Sequence, residues 1–290
     1  MILEGRDFAR PFTTMSSAHQ PPLIDVEQTP VVLSASRRTD LVACFPEFLI
    51  GKLKDYPPER VHTIVLWTKN PENMLSNKRL HDTLARYRQL YVHLTITGLG
   101  GSILEPRIPS WQEVAGMLAG LIKFVGDARC ISWRFDPILR IEMDGKLFSN
   151  FELFSSIIPE VSRAGIALCR TSWVEPYAKV QRRCAKRGIE LSLHSPEERR
   201  EHARELSRIA GQYGMEVQFC AMNDFPPSRC IDGELLSRLH PDGLNCSLAR
   251  AKGQRLLCGC TQSIDIGWYS QKCPHGCLYC YASPLVEGCP

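Results

Sequence analysis

The chain has 290 residues, 44% of them apolar and 23% charged, with a formal net charge of +4. That is enough to bury one large core, and too weakly basic for charge alone to demand or exclude a nucleic-acid partner. No apolar run approaches the roughly 18 residues of a membrane helix, and MILEGRDFARPFTT puts charged residues where a signal peptide has its apolar stretch, so a soluble cytoplasmic protein without a membrane partner is expected.

Residues 1–28, containing PFTTMSSAHQPPL, mix proline, serine and threonine without a period that could bury a face, and are expected to form a flexible arm. From 29 to 222 six short apolar runs follow: VVLSAS (31–36), HTIVLWT (62–68), YVHLTIT (91–97), RCISWRF (129–135), GIALCRTSW (165–173) and MEVQFCAM (215–222). Each has the β-branched and aromatic content of a buried parallel strand. Between them lie segments of helical spacing, such as PENMLSNKRLHDTLARYRQL, SWQEVAGMLAGLIKFVG and SPEERREHARELSRIAGQYG. Ser110 with Glu113, and Ser195 ahead of Glu197 and Glu198, are helix starts; Gly126, Gly165 and Gly214 are helix stops. The alternation predicts an α/β fold, a partial (β/α)6 TIM-like barrel, with a full eight-stranded barrel as the alternative. Residues 223–290 lose the pattern and are expected to fold onto the barrel mouth as a cysteine-rich C-terminal extension.

In parallel barrels the loops after the strands converge on one mouth. Polar residues recur at those places: Arg37, Arg38 and Asp40 after the first strand, Lys69 and Asn70 after the second, Gly98, Gly100 and Gly101 after the third, Arg134 and Asp136 at the fourth. Singly, each has a plain reading as a solvated face or a turn; together they outline one rim. Arginine and lysine suit phosphate or carboxylate groups, and carboxylates suit ribose hydroxyls or amines. Candidate catalytic residues are therefore Arg38, Asp40, Lys69, Arg134 and Asp136. Candidate cofactor contacts are Arg37, Asn70 and the three glycines, although TGLGGS fits a tight turn equally well and lacks GxGxxG spacing.

Thirteen cysteines in a reducing compartment point to metal or catalysis rather than disulfides. Cys44, Cys130, Cys169, Cys184 and Cys220 lie in periodic segments and read as buried apolar thiols. The other eight lie between 230 and 289. CPHGCLYCYA (273–282) offers three thiolates in one loop, whereas structural zinc usually closes a tetrahedron with two cysteine pairs. A cluster on three thiolates keeps one iron open. His275 within the loop is either a fourth ligand or an ordinary loop residue. Cys258 and Cys260, with Cys230, are either a second site for a cluster or zinc, or free thiols.

Cys273, Cys277 and Cys280, with Tyr279 before the third, resemble the signature of radical S-adenosylmethionine enzymes, and CPHGCLYCYA is similar to the cluster loop of the spore photoproduct lyase branch. From about 31 to 283, through SASRRTD, WTKNP, TGLGG, WRFDPI, CIDGEL and CGCTQSIDIG, the chain resembles a family known as a domain of unknown function and allied to that superfamily. The resemblance implies a [4Fe-4S] cluster on Cys273, Cys277 and Cys280, whose open iron chelates S-adenosylmethionine, with Tyr279 among the cofactor contacts. An electron from a donor such as flavodoxin or ferredoxin then cleaves the cofactor to a carbon radical that acts on a substrate, nucleic acid being one candidate. Superfamily members carry this loop after the first strand; here it follows the last, which fits either a permuted arrangement that preserves the chemistry or a relic fold that has lost it. The alternative is a non-catalytic zinc- or cluster-stabilised nucleic-acid-binding protein, with AKVQRRCAKRG as the contact.

Overall fold

The computed structural model describes residues 30–222, 225, 226, 228–268 and 270–286. The expected N-terminal arm, 1–28, lies outside the described residues. Ten strands occur in chain order: β1 (Val31–Ala35), β2 (Val61–Thr68), β3 (Leu90–Thr95), β4 (Ile131–Ile138), β5 (Arg140–Met143), β6 (Lys146–Ser149), β7 (Leu168–Trp173), β8 (Ile189–Leu191), β9 (Glu216–Phe219) and β10 (Ile264–Asp265). Seven form a central sheet in the order β10-β1-β2-β3-β4-β7-β9, every pair parallel. All residues of β2 and β3 are buried, which is why their sequences are continuous apolar runs rather than alternating ones. The order runs one way from β1 to β9, without the reversal of a doubly wound sheet, and no closure joins β9 to β10 among the described residues.

Helices connect the strands, and their ends obey local chemistry. The Ser110 and Ser195 side chains each accept the amide of the residue three positions on, with Glu113 and Glu198 reaching back, so both helix starts are full capping boxes. Gly126 ends its helix in the left-handed conformation at φ 87°. Two expected long helices are each broken in two. Asn77 caps a new start between Glu72–Ser76 and Lys78–Leu84, and Met117 separates Trp111–Gly116 from Leu118–Val125.

Two features were not anticipated. A small antiparallel sheet, β6-β5-β8, rises beyond β4, and β10 adds a parallel edge to β1, with the Ile266 amide donating to the Ser34 carbonyl at 3.0 Å. The main core lies between sheet and helices. A second apolar cluster joins Leu99, Leu104, Ile141, Val180 and Ile189 to Cys277, Leu278 and Tyr279, so the cysteine loop is packed, not draped. No helix among the described residues is long and apolar enough to cross a membrane.

Candidate metal centre at the strand ends

β10 runs parallel beside β1, so the chain beyond it is carried past the C-terminal end of the sheet. There the cysteine loop is fastened by its backbone. Cys273 donates to Ser283 O at 2.8 Å, Leu285 to Cys273 O at 2.7 Å, and Leu278 to Leu104 O at 3.0 Å. Two arginines take its remaining carbonyls: Arg107 donates to Pro274 and Leu285, and Arg183 to Leu278 (3.1 Å) and Cys280.

Asp40 ties the loop to the sheet. It caps Leu41–Cys44, its Oδ1 accepting the Ala43 amide at 2.9 Å. Its Oδ2 accepts Thr68 Oγ1 (2.9 Å), the Lys69 amide (2.8 Å) and His275 Nε2 (2.8 Å). Burial opposes charge on His275, but the Asp40 carboxylate outweighs it and raises the imidazole above its ordinary value.

The Sγ atoms of Cys44 and Cys273 and a ring nitrogen of His275 lie within 4.8 Å of one another. The Cys44 thiol donates to Cys273, which keeps Cys44 protonated and, with the nearby His275 charge, brings Cys273 down to about 6. Burial, with the Glu105 charge, pushes Cys277 well up, and burial also raises Cys280. Such thiols hold their protons until a metal displaces them.

Below the loop, Lys69 Nζ pairs with Glu105 Oε1 at 2.7 Å, their side chains 16% and 1% exposed. Thr97 Oγ1 (2.8 Å) and Tyr279 OH donate to the same oxygen, and the ammonium sits 5.7 Å from the Tyr279 ring centre. Burial disfavours the charged lysine, yet Glu105 and then Cys277 outweigh it and hold the ammonium above its usual range. The pair is a dry ionic joint beneath Cys277.

The remaining expected residues have separate surroundings. Arg134 pairs with Asp136 inside β4 itself, Ser172 donates to Asp136 Oδ1 at 2.5 Å, and the guanidinium lies 5.0 Å from the Trp67 ring. Arg37 faces the same ring at 5.7 Å. Arg38 is exposed near Tyr281, whose phenol donates to Arg37 O at 3.4 Å. Asn70 closes a local turn, its Oδ1 accepting the Glu72 amide at 3.0 Å. Gly98 and Gly101, both at φ 78°, bracket a tight turn in which Gly101 donates to Glu105 O. The places a Cβ would take at Gly98 and Gly100 are filled by Leu153 and by the Pro109 carbonyl.

A second group of thiols, the flank group, sits on the face of the sheet opposite the main core, since Val32, Val65, Trp67 and Tyr91 of its cluster alternate with Leu33, Ile64, Leu66 and Val92 of the core. Cys230, Cys258 and Cys260 belong to one apolar cluster with Trp67 and Tyr91, and Cys220 packs against it. Cys44, Glu105, Arg107, Arg183 and Cys220 carry much of this geometry and were not among the expected site residues. Cys44 had a signal, its place four positions after Asp40 on the rim; Glu105 and the two arginines had none, since their partners are remote in sequence.

The fold and the thiol-lined strand ends define a mixed α/β protein with a candidate metal centre. A family model for a domain of unknown function, DUF1848, matches residues 54–282, and the chain belongs to that family. Among solved structures it is similar to Streptococcus suis SuiB, at 11% identity and a TM-score of 0.36 over 76% of this chain and 54% of that one. SuiB bound to S-adenosylmethionine is matched at 11% identity and 0.32 over 66% and 47%. The carboxyl transferase domain of Rhizobium etli pyruvate carboxylase is matched at 10% and 0.27 over 73% and 37%. The chain thus spans about half the length of SuiB, and at these scores the neighbours' ligands and activities stay their own. No curated protein matches the chain.

Proposed function

We propose that the chain is a radical S-adenosylmethionine-type iron–sulfur enzyme whose cluster is held by Cys273, Cys277 and Cys280. The observation that carries the reading is a three-thiol loop anchored over the C-terminal ends of β1 to β3, joined to the rim at Asp40 and Glu105. The donor set fits: three soft sulfur ligands, two of them buried and one half-buried, from one loop whose backbone is fixed by Arg107 and Arg183. A [4Fe-4S] group bound there supplies an open iron for the amino and carboxylate groups of S-adenosylmethionine and the electron for its reductive cleavage. The chain's own residues do the rest. Asp40 and His275 fix the height of the loop, the Lys69–Glu105–Tyr279 joint keeps the space below Cys277 dry, and Arg134, Asp136 and Arg38 face the mouth where substrate enters. In this reading the sheet is part of a TIM-like barrel wall, the compartment is the reducing cytoplasm, and a flavodoxin or ferredoxin delivers the electron.

The closeness of Cys44, Cys273 and His275 favours a second reading, a single divalent ion on those three side chains with one position open. Anaerobic purification with iron and sulfide counting, then electron paramagnetic resonance with and without S-adenosylmethionine, separates the two. The cluster reading expects iron and sulfide in equal amounts, a spectrum altered by the cofactor, and both retained in Cys44→Ala. An unaltered spectrum, or metal lost from Cys44→Ala with Cys277→Ala unaffected, overturns it.

A further inference from the structure

We infer that Cys220, Cys230, Cys258 and Cys260 form a second, four-thiolate metal centre, one ion or one iron–sulfur cluster, whose negative charge is matched by Arg37, Arg134 and Arg170. The site goes beyond the strand-end reading and does not depend on it.

The four thiols come from three segments and are neighbours in series, Cys220 beside Cys230, Cys230 beside Cys260, and Cys260 beside Cys258. Backbone contacts hold the segments in place. The Cys220 amide donates to Thr171 O at 2.8 Å, Gly259 to Ser228 O at 3.3 Å, and Thr261 to Ile231 O at 2.9 Å. The Ile231 amide points at Cys260 Sγ, 3.5 Å away, the N–H to sulfur contact that stabilises a thiolate. Apolar packing alone does not explain this arrangement, because small thiols in a core need neither to gather from three segments nor an N–H aimed at sulfur.

Charge gives the second, independent observation. Arg170 is 1% exposed and its only hydrogen bond runs from one terminal nitrogen to Tyr91 OH at 3.1 Å; its Nε and Nη2 are buried with no partner among the described residues. Nε of Arg37 and of Arg134 is buried and unpartnered in the same way. Each cation lies in the field of the thiols: Arg170 of Cys230, Arg134 of Cys220 and Cys230, Arg37 of Cys260. The neighbourhood offers two carboxylates, and both already face an arginine: Asp136 pairs with Arg134, and Asp232, in the field of Arg170, lies 3.8 Å from Arg229. Arg37 and Arg170 are left over as two positive charges. Four thiolates on a divalent ion, or on an oxidised cluster core of the same charge, carry two negative charges, which closes the balance. Four neutral thiols would leave buried cations without a counter-charge, a costly arrangement.

The test uses the full chain with the strand-end loop disabled by Cys273→Ala, Cys277→Ala and Cys280→Ala, produced with iron, sulfide and zinc supplied. Expected is metal still bound, either zinc without sulfide or iron with matching sulfide, which tells ion from cluster. Adding Cys220→Ser should lower retention by about tenfold or more. A loop variant free of metal, or full retention after Cys220→Ser, overturns the site. If Cys220→Ser does not fold, alkylation followed by mass spectrometry decides on the loop variant itself. Cys220, Cys230, Cys258 and Cys260 should resist labelling until a chelator strips the metal, then label together; equal labelling before and after overturns the site. Failure of the strand-end reading registers elsewhere, as a wild-type spectrum indifferent to S-adenosylmethionine.

Discussion

The two thiol groups use the same side chain under opposite electrostatic conditions. The strand-end loop draws Cys273, Cys277 and Cys280 from eight consecutive residues and sets them beside groups that already have partners, Lys69 with Glu105 and His275 with Asp40. The flank group draws Cys220, Cys230, Cys258 and Cys260 from distant segments and sets them beside guanidiniums that each keep a buried nitrogen without a partner among the described residues. A neutral surround leaves a centre free to accept an external ligand, whereas an excess of buried cations calls for a closed, anionic one. On the two proposals made above, the charge left unpaired around a set of thiols, more than their number, separates a working centre from a structural one.

The largest expected effect breaks the contrast at the loop. Cys277→Ala should reduce cofactor cleavage by more than about a hundredfold, measured as 5′-deoxyadenosine released, as expected when a ligand is removed rather than a neighbour. Metal on the flank group should persist, and its loss alongside would mean that the two centres are one. Next, Asp136→Ala should lower product formation about a hundredfold when assayed well below its own thermal midpoint, which falls because Arg134 loses its carboxylate. Equal turnover would remove Asp136 from the site.

A stability effect sharpens the same comparison. Glu105→Ala leaves the Lys69 ammonium without its carboxylate and should cost about 3 kcal/mol in denaturant unfolding, with most of it restored in Lys69→Met/Glu105→Gln. An unchanged midpoint in the single variant would show the joint to be wet.

The smallest effect is a control that belongs to neither group. Burial, with the Arg140 and His202 charges adding to it, pushes His194 from 6.5 down to about 4. The unfolded chain therefore takes up the proton first, so stability is full above pH 6.5 and falls as pH drops towards 4, by on the order of 2 kcal/mol. His194→Gln should flatten that window in unfolding curves recorded across it. Acid loss that persists in the variant belongs to the other histidines whose charging burial opposes, His62, His93, His202 and His240, or to the metal sites.

Much of the scaffold was legible because it obeys local rules. Six of the seven sheet strands announce themselves by short, largely apolar runs, and both capping boxes are spelled by a serine followed by glutamate at the third position. The β6-β5-β8 sheet escaped because RIEM, KLFS and IEL are short and half polar, and β10 because two residues carry no period. The loop thiols were visible since their spacing lies within one stretch. Cys44 and Cys220 read as core thiols in the sequence, because the neighbours that change their meaning, Cys273 and Cys230, are supplied by the tertiary fold. Glu105 was silent for the same reason.

The pairing of β10 with β1 has a consequence for synthesis. Every strand from β1 to β9 leaves the ribosome before residue 264, so the scaffold can assemble while the loop sulfurs do not yet exist. Among the strands of the sheet, the last to be synthesised is the one whose pairing with β1 leads the chain on to Cys273 and its neighbours. On the proposed function, the strand-end centre is loaded only after its cradle has been made.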